Sequence, residues 1–261
     1  MSAHTKELNM KLLKEETNNG LMIWKINRPE AKNAVDFEVI HLFEKYLDEI
    51  ENRKDIRALI ITGSGGSFCS GGDLEAFHGL RTAAEARTML LPMNKVLRRI
   101  SSLSTLVITY VDGAAVGGGA ELASAGDLIY VSPRTSLGFI QGKLSLTTGW
   151  GGAALAKEKV GYGRALKMLV SAERINSEKL LQTGFADGTA YTIDELIEKI
   201  DWPVSAGIIK KYKHHLKNYK VMDNMEEEAY LCSEMWESEE HHHAVESFLR
   251  KKNEGKGWKK S

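Results

Sequence analysis

Two glycine-rich stretches could bring a bare backbone amide up to a ligand: Ser70-Gly71-Gly72-Asp73, and Gly117-Gly118-Gly119-Ala120, which is followed at once by an acid, Glu121. Glycine has no Cβ to obstruct such an approach and accepts positive φ. If a helix starts at Gly118, its N–H is one of the unpaired first-turn donors at the positive end of the helix dipole. Two donors of this kind from separate loops suit an oxygen that becomes negative during a reaction. Tight turns or close helix packing would use the same glycines, and for either loop alone that is the plainer reading. Phosphate binding fits less well. Neither loop ends in Gly-Lys-Ser/Thr, and no G-x-G-x-x-G is followed by an acid about 20 residues on.

The elements around these loops must position them. Leu21 to Asn27 reads as a strand running into a turn with Pro29 and Asn33. Phe37, Ile40, Phe43, Leu47 and Ile50 recur at helical spacing behind Asp36, a candidate N-cap. Ala58 to Gly63 predicts a buried strand ahead of the first glycine loop, and Leu106 to Gly113 a strand ahead of the second. Between them Ala84 to Ile100 reads as a helix interrupted or kinked at Pro92. Gly118 to Ala125 predicts a short helix and Asp127 to Ser132 a further strand. Strands alternating with helices argue for an α/β chain with parallel pairing, whose ligand crevices lie where loops leave the strands. From about Trp202 the strand signals end, and Val204 to Tyr219, Met225 to Trp236 and Glu239 to Lys252 read as helices. This divides the chain into a core over residues 1–200 and a helical region over 201–261.

Composition narrows the function classes. The 261 residues carry 35 basic and 35 acidic side chains, so no net field attracts nucleic acid or an anionic membrane. Two cysteines far apart in sequence, Cys69 and Cys232, make a disulfide framework or a cysteine metal site a poor expectation and fit a reducing compartment. The polar opening MSAHTKELNMKLLKEE is unlike a signal peptide, and no apolar run approaches the roughly 20 residues of a membrane span. The expectation is a cytoplasmic, unanchored protein.

NRPEAKNAVD (27–36), SFCSGGDL (67–74) and VDGAAVGGGAELASAGDLIYVS (111–132), with SLGFIQGKLSLTTGWGGA (136–153) and SEEHHHAVESFLRKK (238–252), occur in that order and together resemble the enoyl-CoA hydratase/isomerase, or crotonase, family. The resemblance implies a crotonase-like spiral of ββα turns whose C-terminal helical region packs trimers or hexamers, acting on an acyl-CoA. Coenzyme A is then part of the substrate, and no separate cofactor or metal is expected. By motif position the thioester oxygen falls between the Gly72 and Gly118 amides, and Glu121 matches the first catalytic glutamate of the family's hydratases. A poorly solvated acid there would favour its neutral form, although a Glu near a helix N-terminus also stabilises the dipole.

The second glutamate of hydratases falls on Gln141, which can hydrogen-bond but cannot shuttle a proton at neutral pH. The segment departs further, with Thr148 where the family commonly has proline and Trp150 where it has a small residue. Hydration of a 2-enoyl-CoA is the family default. Decarboxylation of a short malonyl-type CoA stands almost level, because loss of CO₂ generates the enolate without a base and a neutral Gln141 would not repel the substrate carboxylate. Either reaction makes the protein a lyase; isomerisation is less attractive, and an idle acyl-CoA-binding subunit is the alternative from another class.

The resemblance also puts CoA contacts on Ala31, Lys32, Ala34, Ser70 and Leu74, with Lys32 or Arg28 meeting phosphate by charge and Phe248 and Lys251 matching a C-terminal F-x-x-K. Taken alone, the basic ending RKKNEGKGWKK reads as a solvated tail. The run His241 to His243 lies in an expected helix and points in three directions, so it is not a metal site. His78 reads as a loop histidine, Met89 and Met93 as core, and Cys69 lacks a paired base.

Overall fold

The computed structural model describes residues 10–17, 19–216 and 220–257. The first nine residues of the polar opening, the end of the expected helix Val204 to Tyr219 and the last four residues of the basic tail lie outside them.

Near the N-terminus β1 (Leu12–Glu16) pairs antiparallel with β2 (Leu21–Ile26), after which a 3-10 turn (Pro29–Ala31) leads to α1 (Phe37–Ile50). Asp36 caps α1 by accepting from the Val39 N–H at 3.0 Å. The chain then repeats one pattern, a strand in a first sheet, a short strand in a second sheet, then helix. The first turn is β3 (Ala58–Gly63), β4 (Ser67–Cys69), α2 (Leu74–Phe77) and α3 (Ala83–Ser102); the second is β5 (Leu106–Val111), β6 (Ala114–Val116) and α4 (Gly118–Ser124). The third is β7 (Leu128–Val131), β8 (Ser136–Gly138), a 3-10 turn (Gln141–Leu144), α5 (Gly152–Val160) and α6 (Tyr162–Ser171). Short elements follow: β9 (Ile175–Asn176), α7 (Ser177–Thr183), β10 (Gly188–Thr189) and α8 (Ile193–Lys199). The chain closes with α9 (Ala206–Leu216), α10 (Lys220–Trp236) and α11 (Glu239–Gly257). Helix α3 runs through Pro92 without the interruption expected there.

The six-stranded sheet has the order β1-β2-β3-β5-β7-β10, and the four-stranded one β4-β6-β8-β9. Strands β3 and β5 are apolar at successive positions because both faces are covered, as parallel strands require. Leu59, Ile61, Val107 and Val111 join the main core, whereas Ile60 and Ile108 pack with Leu196 and Ile200 on the opposite side. The C-terminal helices close over the core: Asn94 on α3 donates to the Met225 carbonyl on α10, Arg87 to Ser233 at 2.9 Å, and the Trp236 indole N–H to the Leu80 carbonyl at 2.9 Å. Met89 and Met93 are buried core residues. Among the described residues no helix is long and apolar enough to cross a membrane.

Candidate active site

Three adjacent parallel strands of the smaller sheet deliver the site. Strand β4 pairs with β6, and β6 with β8, so the residues that leave their C-terminal ends emerge side by side. Those residues are Gly72 after β4, Gly118 and Glu121 after β6, and Gln141 after β8. The loops touch: a Cβ built on Gly71 (φ +94°) would lie 3.1 Å from the Gly118 nitrogen, and the Gly117 N–H donates to the Gly138 carbonyl at 2.8 Å.

Each of the three consecutive glycines has its own reason. Gly117 adopts φ 58°, ψ −120°, which is closed to side chains with a Cβ. Gly119 packs so close to β4 that a Cβ would sit 1.9 Å from the Cys69 carbonyl oxygen. Gly118, the middle one, lies under the indole of Trp150, with Cζ3 only 2.3 Å from where its Cβ would be. Gly71, Gly117 and Gly119 are buried, while Gly72 and Gly118 keep partial exposure.

The N–H groups of those two glycines have no acceptor among the described residues. For Gly72 the cause is local pairing. Val35 bridges Gly72 in parallel fashion, donating to the Gly71 carbonyl at 2.8 Å and accepting from the Asp73 N–H at 2.9 Å, which turns the N–H of Gly72 to the other side. For Gly118 it is the helix start, where first-turn donors have no carbonyl a turn behind them.

Glu121 follows one helical turn later and is 2 % exposed. Its Oε2 accepts from the backbone N–H groups of Trp150 and Gly152, both at 2.8 Å, and its Oε1 accepts from Gln141 Nε2 at 2.7 Å. Burial, followed by the charge of nearby Glu228, pushes this carboxyl up to about 7 against the pull of its three hydrogen bonds. The Gln141 Oε1 is buried without a partner among the described residues.

Glu228, on α10, is a site residue that the sequence motifs do not point to. It accepts from the Ala153 N–H at 3.1 Å, the Ala154 N–H at 2.6 Å and the Thr148 hydroxyl at 2.6 Å. Burial pushes its carboxyl up as well. Two carboxylates thus share the N-terminus of α5, and neither forms an ion pair among the described residues. An acid 107 positions downstream of Glu121 in an otherwise acidic helix carries no local signal.

The first loop lies against the Gly72 turn. Ser70 N–H donates to the Lys32 carbonyl at 3.1 Å and its hydroxyl to the Ala31 carbonyl at 3.3 Å, while Ala34 is buried and Leu74 half-buried at the start of α2. Arg28 and Lys32, the two alternatives for meeting phosphate, differ. The Arg28 guanidinium turns inward to the Ala34 carbonyl at 2.6 Å and Asp73 Oδ2 at 2.8 Å, with Asp36 at 3.4 Å, whereas Lys32 is exposed. Arg28 therefore ties the first loop to the glycine turn. Phe248 and Lys251 are exposed on α11, and no hydrogen bond or ion pair among the described residues joins them to the first loop.

Other chemistry-bearing side chains stand apart. Cys69 is buried and its thiol pushed up to about 12 by burial, which removes it as a nucleophile. His78 is exposed beside the Glu75 carbonyl. His241 is buried against Trp236 and bonded to the Leu144 carbonyl at 2.8 Å, and His243 is exposed. Among the described residues no group of three or more His, Cys, Asp or Glu side chains is arranged to hold a metal ion.

Known proteins share this chain's sequence pattern and fold. The enoyl-CoA hydratase/isomerase family model matches residues 16–258. An ethylmalonyl-CoA decarboxylase from Gallus gallus is 33 % identical over 177 residues, covering 68 % of this chain and 59 % of the relative, so the chain spans little more than half of that protein's length. A short-chain-enoyl-CoA hydratase from Clostridium acetobutylicum is 29 % identical over 94 % of this chain and 97 % of its own. The crystal structure of an enoyl-CoA hydratase from Bacillus halodurans superposes with a TM-score of 0.82 at 19 % identity, covering 91 % of this chain and 99 % of the other, a likeness of fold.

Proposed function

The chain belongs to the enoyl-CoA hydratase/isomerase family, and from that premise we propose that it decarboxylates a short malonyl-type acyl-CoA through an enolate held by the Gly72 and Gly118 N–H groups. The observation that carries this reading is the neutral partner of the acid: the side chain bonded to Glu121 Oε1, at 2.7 Å, is the amide of Gln141 and not a second carboxyl.

The thioester oxygen occupies the space between the two unpaired amides. The bond from Cα to the substrate carboxylate breaks and CO₂ leaves, while its electron pair passes into the thioester and places negative charge on that oxygen. Each donor contributes about 2.7–4 kcal/mol to holding this charge. Protonation at Cα then gives the shortened acyl-CoA, and the deprotonated acid is recharged from water. Glu121 suits this last step, since a carboxyl at about 7 holds a proton in a large share of molecules near neutrality. Its Oε2 is committed to two backbone donors, which leaves Oε1 to carry the proton. Gln141 serves both states: its NH₂ donates to the carboxylate, and after rotation of the amide its oxygen accepts from the acid. The ethylmalonyl-CoA decarboxylase relative supports the same reading.

Hydration of a short 2-enoyl-CoA is the second reading, favoured by a short-chain-enoyl-CoA hydratase that aligns over 97 % of its length. It needs a base for water as well as an acid for Cα, and Gln141 supplies neither. The CoA moiety in this reading runs along Ala31, Lys32, Ala34, Ser70 and Leu74, and the exposed apolar side chains Tyr162, Leu166 and Val170 of α6 support a trimer or hexamer. The experiment is a paired assay of a 2-alkylmalonyl-CoA for CO₂ release and crotonyl-CoA for hydration, with the wild type and Gln141→Glu. The expected result is CO₂ release by the wild type that falls in the variant while hydration rises. Robust hydration by the wild type without CO₂ release would overturn the proposal.

A further inference from the structure

Trp150 is the one side chain in the run Gly149-Trp150-Gly151-Gly152; it is buried, and the backbone of its glycine neighbours is closely packed. A Cβ on Gly149 would lie 2.7 Å from Leu90 and 2.8 Å from the Cys232 sulfur, one on Gly151 2.5 Å from Met225, and one on Gly152 2.4 Å from Glu121 Cγ. The Trp150 N–H is itself bonded to Glu121 Oε2 at 2.8 Å. The backbone that carries the indole is therefore held tightly against its surroundings and against Glu121.

The ring spans both amide-bearing glycines. Its Cζ3 and Cη2 lie 2.3 and 2.6 Å from a Cβ built on Gly118, and its Cζ2 3.7 Å from one built on Gly72, where Phe77 closes in at 3.2 Å. The indole thus lies beside both glycines whose N–H groups have no acceptor among the described residues. We propose that Trp150 sets acyl length, because its indole fills the space beside Gly72 and Gly118 that the distal carbons of a longer chain would need, and so admits only short acyl groups. The inference rests on the two-amide reading of the site and deepens it by naming the residue that limits the substrate.

Saturated acyl-CoAs test it, since they bind without turning over. Affinities of acetyl-, butyryl-, hexanoyl- and octanoyl-CoA are measured by calorimetry for the wild type, Trp150→Ala and Trp150→Leu, with thermal unfolding as the check on folding. The wild type is expected to gain affinity from acetyl- to butyryl-CoA and to lose it beyond. In Trp150→Ala the hexanoyl-to-butyryl affinity ratio should rise about tenfold, the worth of two buried methylenes, with Trp150→Leu between. A wild type that binds octanoyl-CoA as tightly as butyryl-CoA, or variants that weaken every acyl-CoA by the same factor, would overturn the proposal, the first of these even if both variants fail to fold. Absence of CO₂ release from a malonyl-type thioester would remove the reaction proposed above without altering this length profile.

Discussion

Replacing Glu121 by glutamine separates its chemistry from its structural role. The substitution is nearly isosteric, and the surroundings can accept it. The new amide oxygen takes the place of Oε2 and receives the Trp150 and Gly152 N–H groups, while its NH₂ meets Gln141, whose unpartnered oxygen accepts once that amide rotates. What changes is the ionisation. A carboxyl raised from an ordinary 4.5 to about 7 binds its proton more tightly in the folded state, so below pH 4.5 it costs the fold nothing. As pH rises toward 7 the unfolded chain ionises first and the fold loses stability, levelling off above the folded value. That loss comes to about 1 kcal/mol at pH 5 and about 3 kcal/mol at pH 8. Glutamine has no such dependence. Urea unfolding of both proteins at the two pH values should therefore show the stability difference moving by about 2 kcal/mol in favour of Glu121→Gln between pH 5 and pH 8, whatever constant cost the substitution carries. Turnover should fall by roughly 10²–10⁴-fold with acyl-CoA affinity little changed. A variant with unaltered kcat, or a stability difference independent of pH, would refute the account of Glu121 as a buried acid poised near neutrality.

Other substitutions read separate parts of the site. Gly118→Ala forces a Cβ to 2.3 Å from the Trp150 ring, so either ring or amide must move, and kcat is expected to drop roughly 10²–10³-fold; Gly72→Ala, whose nearest neighbour is a Phe77 ring atom at 3.2 Å, should lose less in the same steady-state assay. Glu228→Gln removes the charge that helps Glu121 keep its proton, so the alkaline limb of the kcat profile should move to lower pH; a lower kcat with an unmoved limb would mean that Glu228 only holds α5 in place. Arg28→Ala leaves the half-buried Asp73 with its backbone donors but without its ion-pair partner, which predicts a loss of about 1–3 kcal/mol in urea unfolding and a raised KM as the first loop loosens.

Regular elements were legible in the sequence where local pattern and tertiary packing agree. Helix α1 follows from its apolar spacing behind Asp36, and β3 and β5 from apolar runs that two covered faces demand. Strand β1 was not, because its alternation is nearly lost in Leu12-Leu13-Lys14-Glu15-Glu16 and only pairing with β2 defines it. Pro92 misled as an interruption: one missing N–H is tolerated inside a 20-residue helix whose buried face, including Met89, Leu90, Met93 and Leu97, carries it through. The placement of Gly72, Gly118, Glu121 and Gln141 along one edge followed from ordered motifs. Glu228 did not, since its part depends on where α10 docks. Arg28 was one of two side chains expected to meet phosphate by charge, and only the fold shows Asp73 across from it.

The convergence of two amides on one carbonyl is most directly tested by isotope-edited infrared spectroscopy of a ¹³C-labelled thioester carbonyl in butyryl-CoA bound to the protein. Binding to the wild type should move the band to lower wavenumber as Gly72 and Gly118 polarise the bond, and Gly118→Ala should reverse much of that shift. A bound carbonyl absorbing where it does in water, or equally shifted in the variant, would contradict the account.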